Sequence, residues 1–175
     1  ETKCSFWIWQ GKRWESGFRQ MFLRIAPCEK RVRQKQRTLF ASQIQTRNDG
    51  RDEFFSGRIE EELEKVRVCR EAVGSDFDFV LEAHRGMNVP EAITFGNEVA
   101  KYRPMVFEDP ITPDNPDAMA EVAAKVPVPI ATGERFINLK EFETVMARHG
   151  CQYIRPDVCA VGGITTSKKI CALAE

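Results

Sequence analysis

The chain has 175 residues, 42% of them hydrophobic and 30% charged, and its 26 Lys/Arg balance its 26 Asp/Glu at zero net charge. That length suffices for one sizeable domain but falls short of the roughly 250 residues of a complete (β/α)8 barrel. It contains no run of about 18 uncharged apolar residues, which argues against a transmembrane helix, and its start, Glu1-Thr2-Lys3-Cys4, has neither an initiator Met nor a signal-peptide pattern, as expected of a fragment.

The zero balance hides two unlike parts. Residues 1–58 carry 13 Lys/Arg against 6 Asp/Glu, a charge of +7, whereas residues 59–175 carry 13 against 20, a charge of −7. In the basic part stand Trp7, Trp9 and Trp14, and Lys, Arg and Gln dominate residues 29–37. No strand-turn-helix rhythm is legible there, so 1–58 stays unassigned. The alternatives are a solvated extension, a mis-joined segment, or a basic arm for nucleic acid or an anionic surface, for which a scattered basic composition is a weak signal.

From Ile59 onward the order is regular. Ile59, Leu63, Val66, Cys69 and Val73 recur at helical spacing, and Gly74 supplies a stop. The apolar run 77–82 reads as a strand ending in Glu82. Pro90 then opens a helix with Ala92, Phe95, Val99 and Tyr102 on its apolar stripe. A second strand, 105–108, ends in Glu108. The loop that follows closes with Asn115 as a cap and Pro116 at the first helical position, and Met119, Val122, Ala123 and Val126 face inward. A third strand runs over 129–134 to Glu134, and Asn138 with Glu141 forms a capping-box pair for a helix stopped by Gly150. The strand 151–157 delivers Asp157, and Gly162-Gly163 turns the chain into a last helix near Thr165. Strands alternating with helices of this length predict a parallel sheet. The fold class is therefore α/β, with four consecutive βα units over 59–175.

The strand-closing acids are regularly placed. Glu82, Glu108 and Glu134 are separated by 108 − 82 = 26 and 134 − 108 = 26 residues, and Asp157 follows after 157 − 134 = 23. In a barrel the C-terminal strand ends form the mouth where catalytic groups collect. Three carboxylates converging there would repel one another unless a divalent cation neutralised them.

Read together, Glu82-Ala83-His84, Phe107-Glu108-Asp109-Pro110, Ala131-Thr132-Gly133-Glu134-Arg135 and Arg155-Pro156-Asp157 with Gly162-Gly163-Ile164-Thr165 resemble the enolase superfamily. Within it they are most similar to the mandelate racemase/muconate lactonizing enzyme family and its galactonate dehydratase-like sugar-acid dehydratases. The resemblance implies a partial TIM-type barrel covering strands three to six, with Glu82, Glu108 and Glu134 as ligands of one Mg²⁺. It implies the Mg²⁺-dependent dehydration of an aldonic acid to a 2-keto-3-deoxy acid through an enediolate. His84 would then be the general acid for the departing 3-hydroxyl, two residues past Glu82 and so on the same strand face. Asp157 would orient a His base from a seventh strand that this chain does not contain, so the fragment alone is expected to be inactive.

Two positions depart from the pattern: relatives place Asp where Glu82 stands, and many read Gly-Arg where this chain has Arg85-Gly86. Arg85 is open to two readings, a contact to the substrate carboxylate or a surface salt bridge. Thr132 and Arg135 are expected to brace Glu134. Asp109 should point away from the mouth by strand alternation and bond structurally. His149, Lys168 and Lys169 read as structural or solvated.

The six cysteines form no Cys-x-x-Cys pair and have no His at zinc spacing, so free thiols in a reducing cytoplasm are expected. The resemblance also implies a small-molecule sugar-acid substrate, no membrane, and a homo-oligomer at full length. Rival functions are a racemase, epimerase or cycloisomerase of the same superfamily, or a non-catalytic barrel remnant with a basic binding arm.

Overall fold

A computed structural model describes the backbone of Phe6–Trp9, Leu23–Ile25 and Leu39–Gln43 and residues 55–175, with side chains from residue 59 onward. The basic stretch 29–37, Trp14, Cys4 and Cys28 lie outside the described residues. The elements are strands β1 (Phe6–Trp9), β2 (Leu23–Ile25) and β3 (Leu39–Gln43), helix α1 (Phe55–Val73), β4 (Phe79–Glu82), α2 (Val89–Val99), β5 (Val106–Glu108), α3 (Pro116–Lys125), β6 (Ile130–Thr132), α4 (Leu139–Ala147), β7 (Tyr153–Ile154) and α5 (Ile164–Ala174).

One sheet runs in the order β2-β1-β3-β4-β5-β6-β7. From β3 to β7 every neighbouring pair is parallel. Each strand is laid beside its predecessor on the same side. A doubly wound sheet would reverse direction at its switch point, whereas this one-way progression is that of a barrel wall. β1 pairs antiparallel with both β2 and β3. These three short strands lie in the segment whose sequence shows no strand-helix rhythm, and β3 adds a fifth parallel strand to the four expected.

The helix signals in the sequence act as anticipated. Asn138 with Glu141 forms the expected box at α4, and α2 has one that the sequence reading does not name: Asn88 Oδ1 accepts from the Glu91 amide at 2.9 Å and the Glu91 carboxylate accepts from the Asn88 amide at 2.8 Å. Asn115 caps α3 through the amides of Asp117 and Ala118. Such caps satisfy amides that the first helical turn leaves without partners, each contributing about 1 kcal/mol.

Alternation along the strands divides the sheet into two faces. Phe79, Leu81, Phe107 and Ile130 point toward the helices, where they pack with Phe95, Val99, Met119, Val122 and Phe142 in the main core. Val80, Val106 and Ala131 form a smaller cluster on the other face, the inner wall of the barrel. Glu82 and Glu108 continue this inner row, two residues beyond Val80 and Val106. At the opposite, N-terminal end of the strands, Arg70 lies 4.3 Å over the Phe79 ring. It donates to the carbonyls of Phe77 and Tyr102, tying α1 to the β4 entrance.

Candidate metal centre

Glu82 and Glu108 close β4 and β5 and are direct register partners. Both are 2% exposed. The next pair in register is Glu108 with Ala131, not Glu134. The equal intervals of 26 therefore do not reflect equal strand positions, because Glu134 stands 134 − 131 = 3 residues further along and past the end of β6. An odd offset from Ala131 would send its side chain to the helix side of a continuing strand. Gly133, at φ +124°, breaks the alternation, and a Cβ there would meet the Phe142 ring at 2.7 Å. Only glycine suits that backbone region at little cost. Glu134 is thereby turned toward the mouth, where its Oε1 accepts from Arg85 Nη1 at 2.6 Å.

The same Arg85 nitrogen donates to Asp109 Oδ2 at 3.0 Å, and Thr132 Oγ1 donates to Asp109 Oδ1 at 2.6 Å. Asp109 takes the structural hydrogen-bonding role expected of it, but it does not point away. Its φ of +41° ends the strand alternation after Glu108. Glu82, Glu108 and Asp109 each bring a carboxylate oxygen within 4.8 Å of the others. Thr132 braces Asp109 rather than Glu134. Arg85 forms ion pairs, as one of its two readings held, but at 15% side-chain exposure it lies inside the mouth rather than on the surface. Arg135 is exposed at the rim.

Arg155 is the one side chain of the acid cluster, among the described residues, that the sequence reading does not single out. Its Nη1 lies against Glu108 Oε1 and 3.5 Å from Glu82 Oε2. The motif Arg155-Pro156-Asp157 contains it, but the resemblance assigns a role there only to the aspartate. The backbone amide of Arg155 donates to the Thr132 carbonyl at 2.9 Å, extending the ladder past β6. Similar bonds from Ala83 to Glu108 O, at 3.0 Å, and from Asp109 to Ala131 O, at 2.9 Å, lace the other strand ends together.

Burial, more than the crowding of acids, governs their titration. Burial first, and the Asp109 charge second, push the Glu82 carboxyl up to about 8, although the His84 amide, bonded to Oε1 at 2.8 Å, favours the anion. Burial also holds the Asp109 carboxyl above its ordinary value, against the bonds from Thr132 and Arg85. Burial lowers the Arg155 guanidinium and the Glu82 charge raises it, but an arginine stays charged in proteins. These donors are all carboxylate oxygens, the set that hard cations such as Mg²⁺ select. A divalent ion would supply the countercharge that buried Glu82 calls for, so the residues fit one.

His84 does not lie on a strand. β4 ends at Glu82 and the φ of His84 is +51°, so face alternation does not apply to it. Its exposed ring stands at the rim with Nδ1 and Nε2 at 3.3 and 3.2 Å from Arg85 Nη2. There it lines a cleft of about 670 Å³ with Arg85, Thr112, Asp114, Arg135 and Lys140. Asp157 is not drawn into the cluster. It is exposed, and its Oδ1 accepts from the amides of Cys159 and Ala160 at 2.8 and 3.1 Å, closing a turn. His149, Lys168 and Lys169 are exposed. Among the described residues Cys69, Cys151, Cys159 and Cys171 form no disulfide, and no helix is long and apolar enough to cross a membrane.

Comparison with known proteins places this geometry. The D-galactonate dehydratase of Cronobacter sakazakii (strain ATCC BAA-894) is 34% identical over 120 residues, which cover 69% of this chain and 31% of the relative. The D-galactarolactone cycloisomerase of Agrobacterium fabrum (strain C58 / ATCC 33970) is also 34% identical, over 116 residues covering 66% and 31%. A crystal structure of a racemase from Streptomyces coelicolor A3(2) with bound magnesium superposes with a TM-score of 0.68 at 26% identity, covering 76% of this chain and 34% of that one. The chain thus spans about a third of the length of the proteins it resembles. A family model described as enolase C-terminal domain-like matches residues 15–175. Since that match takes in the whole acid cluster and nearly all of the chain, the chain belongs to the enolase superfamily, in its C-terminal domain family.

Proposed function

We propose that this chain is the metal-binding part of a Mg²⁺-dependent hydro-lyase that removes water from an aldonic acid and yields a 2-keto-3-deoxy acid. The observation that carries the reading is the pairing of buried Glu82 and Glu108 at adjacent strand ends, with Glu134 turned to the same mouth by Gly133. These three glutamates would hold the ion, while Asp109 stays bonded to Thr132 and Arg85. The bound ion would supply positive charge where negative charge develops on the substrate as its α-proton leaves.

The remaining work falls to side chains. His84, at the rim of the cleft, would give a ring proton to the departing 3-hydroxyl, with its imidazole oriented by Arg85 Nη2. Asp157, its rotamer fixed through Oδ1 by two amides, would accept from a histidine base supplied outside this chain. Residues 15–58, which the family match takes in and whose β3 pairs with β4, would belong with 59–175 to the same barrel part. At full length the protein would work in the cytoplasm as a homo-oligomer.

The test uses the full-length polypeptide with Mg²⁺ and a panel of aldonic acids, following 2-keto-3-deoxy acid formation. A product that disappears in Glu108→Gln supports the reading. In His84→Asn, dehydration should fall at least ~100-fold while exchange of the α-proton with solvent deuterium persists. No product from any aldonic acid would refute it. A second reading, cycloisomerisation of a sugar-acid lactone, is favoured by the Agrobacterium relative at equal identity. Turnover of lactones but not of open acids would select it.

A further inference from the structure

Among the described residues, two arginines stand among the acids of the mouth. Arg85 is accounted for by Asp109 and Glu134, which it bonds at 3.0 and 2.6 Å. Arg155 stands elsewhere, against Glu108 Oε1 and 3.5 Å from Glu82 Oε2. It therefore bridges the two carboxylates whose Cα atoms are paired across β4 and β5. Two features of the chain hold it there. Its amide is tied to Thr132 O at 2.9 Å, and Pro156 behind it restricts its backbone to extended conformations. The side chain is 15% exposed, so the guanidinium is largely shielded from water.

We propose that Arg155 is a tethered counter-cation of the Glu82–Glu108 pair, which a divalent ion must displace in order to bind, so that Arg155 sets the metal affinity of the mouth. The inference rests on the metal reading above. A guanidinium has only donors and a permanent charge. A carboxylate oxygen with a guanidinium nitrogen seated against it is closed to an ion that needs oxygens at about 2.0–2.1 Å in near-octahedral order. Once bound, a divalent ion would also repel an undisplaced guanidinium a few ångströms away. In the metal-free protein Arg155 has a positive task, because ionising either buried carboxyl group without a countercharge would oppose folding of the mouth.

The test is a calorimetric titration of Mg²⁺ into the 175-residue chain and its Arg155→Met, Arg155→Lys and Glu108→Gln variants, with thermal unfolding with and without Mg²⁺. Arg155→Met should bind Mg²⁺ at least about tenfold more tightly than the wild type, and its Tm should rise more on Mg²⁺ addition. Arg155→Lys, which keeps the charge, should stay within about threefold of the wild type. Glu108→Gln should not bind. Equal or weaker binding by Arg155→Met, with wild-type binding intact and lost in Glu108→Gln, overturns the counter-cation and leaves the metal site standing. If neither the wild type nor Arg155→Met binds, the metal reading itself fails and this inference with it. Should Arg155→Met be unfolded without metal, far-UV circular dichroism decides: refolding on Mg²⁺ below the wild-type Kd supports the inference, and no refolding overturns it.

Discussion

Replacing Gly133 with alanine tests how the sequence turns Glu134 into the mouth. Gly133 sits at φ +124°, and an added Cβ would stand 2.7 Å from Phe142 Cε1 and 3.3 Å from the Arg155 amide nitrogen. The backbone strain alone is about 1–3 kcal/mol for a residue with a side chain. The ring has little room to retreat, since Phe142 is fully buried and packs edge-on against Phe136 at 5.0 Å and 89°. Overpacking of that kind adds about 1–3 kcal/mol. Together Gly133→Ala should lose about 2–6 kcal/mol, read as a lower urea midpoint at unchanged slope. Gly74→Ala is the control, because Gly74 has φ +80° but nothing within 4 Å of its added Cβ. It should lose only the strain, about 1 kcal/mol. Glu134 follows Gly133 directly, so Mg²⁺ affinity should fall in the first variant and hold in the second. Equal destabilisation of the two, or unchanged Mg²⁺ binding in Gly133→Ala, would refute the reasoning.

Three other outcomes follow from the same geometry. In EDTA, stability should decline as pH rises from about 4.5 toward 8: folded Glu82 keeps its proton up to about 8 whereas the unfolded chain releases it near 4.5, so the folded state binds more protons in that window. The loss is on the order of 2–5 kcal/mol, and urea midpoints that rise between pH 5 and 8 would contradict it. Thr132→Val removes the 2.6 Å bond to buried Asp109 and should cost about 1–3 kcal/mol by the same assay, with no change counting against the brace. Burial pushes the Cys151 thiol up to about 11, so peptide-mapped alkylation at pH 8 should label it at least ~10-fold more slowly than exposed Cys159; equal rates would contradict that ordering.

Much of the helical layer was legible because its signals are local. Asn115, the Asn138–Glu141 box and the Gly74 stop act within one turn of their own position. The inner face was legible as far as Glu82 and Glu108, since alternation holds while the backbone stays extended. It failed at His84 and Asp109, where left-handed backbone takes the chain out of the strands and parity no longer fixes direction. The equal spacing of Glu134 suggested an equivalence that register denies, and Gly133 achieves by a turn what the strand does not. Arg155 escaped because its partners, Glu82 and Glu108, lie 73 and 47 residues upstream by direct subtraction, and no local pattern encodes that meeting. β1 and β2 have antiparallel, non-local partners and span only a few residues each, too short for a period to show.

The central claim is that Glu82, Glu108 and Glu134 share one divalent ion. The most direct measurement is a crystal structure of the chain grown with Mn²⁺ and recorded at the manganese absorption edge. The account predicts one anomalous peak at about 2–2.5 Å from a carboxylate oxygen of each of the three glutamates, with Arg155 withdrawn from Glu108 and Glu134 released from Arg85. No peak at saturating Mn²⁺, or a peak held by Glu82, Glu108 and Asp109 with Glu134 still bonded to Arg85, would contradict it.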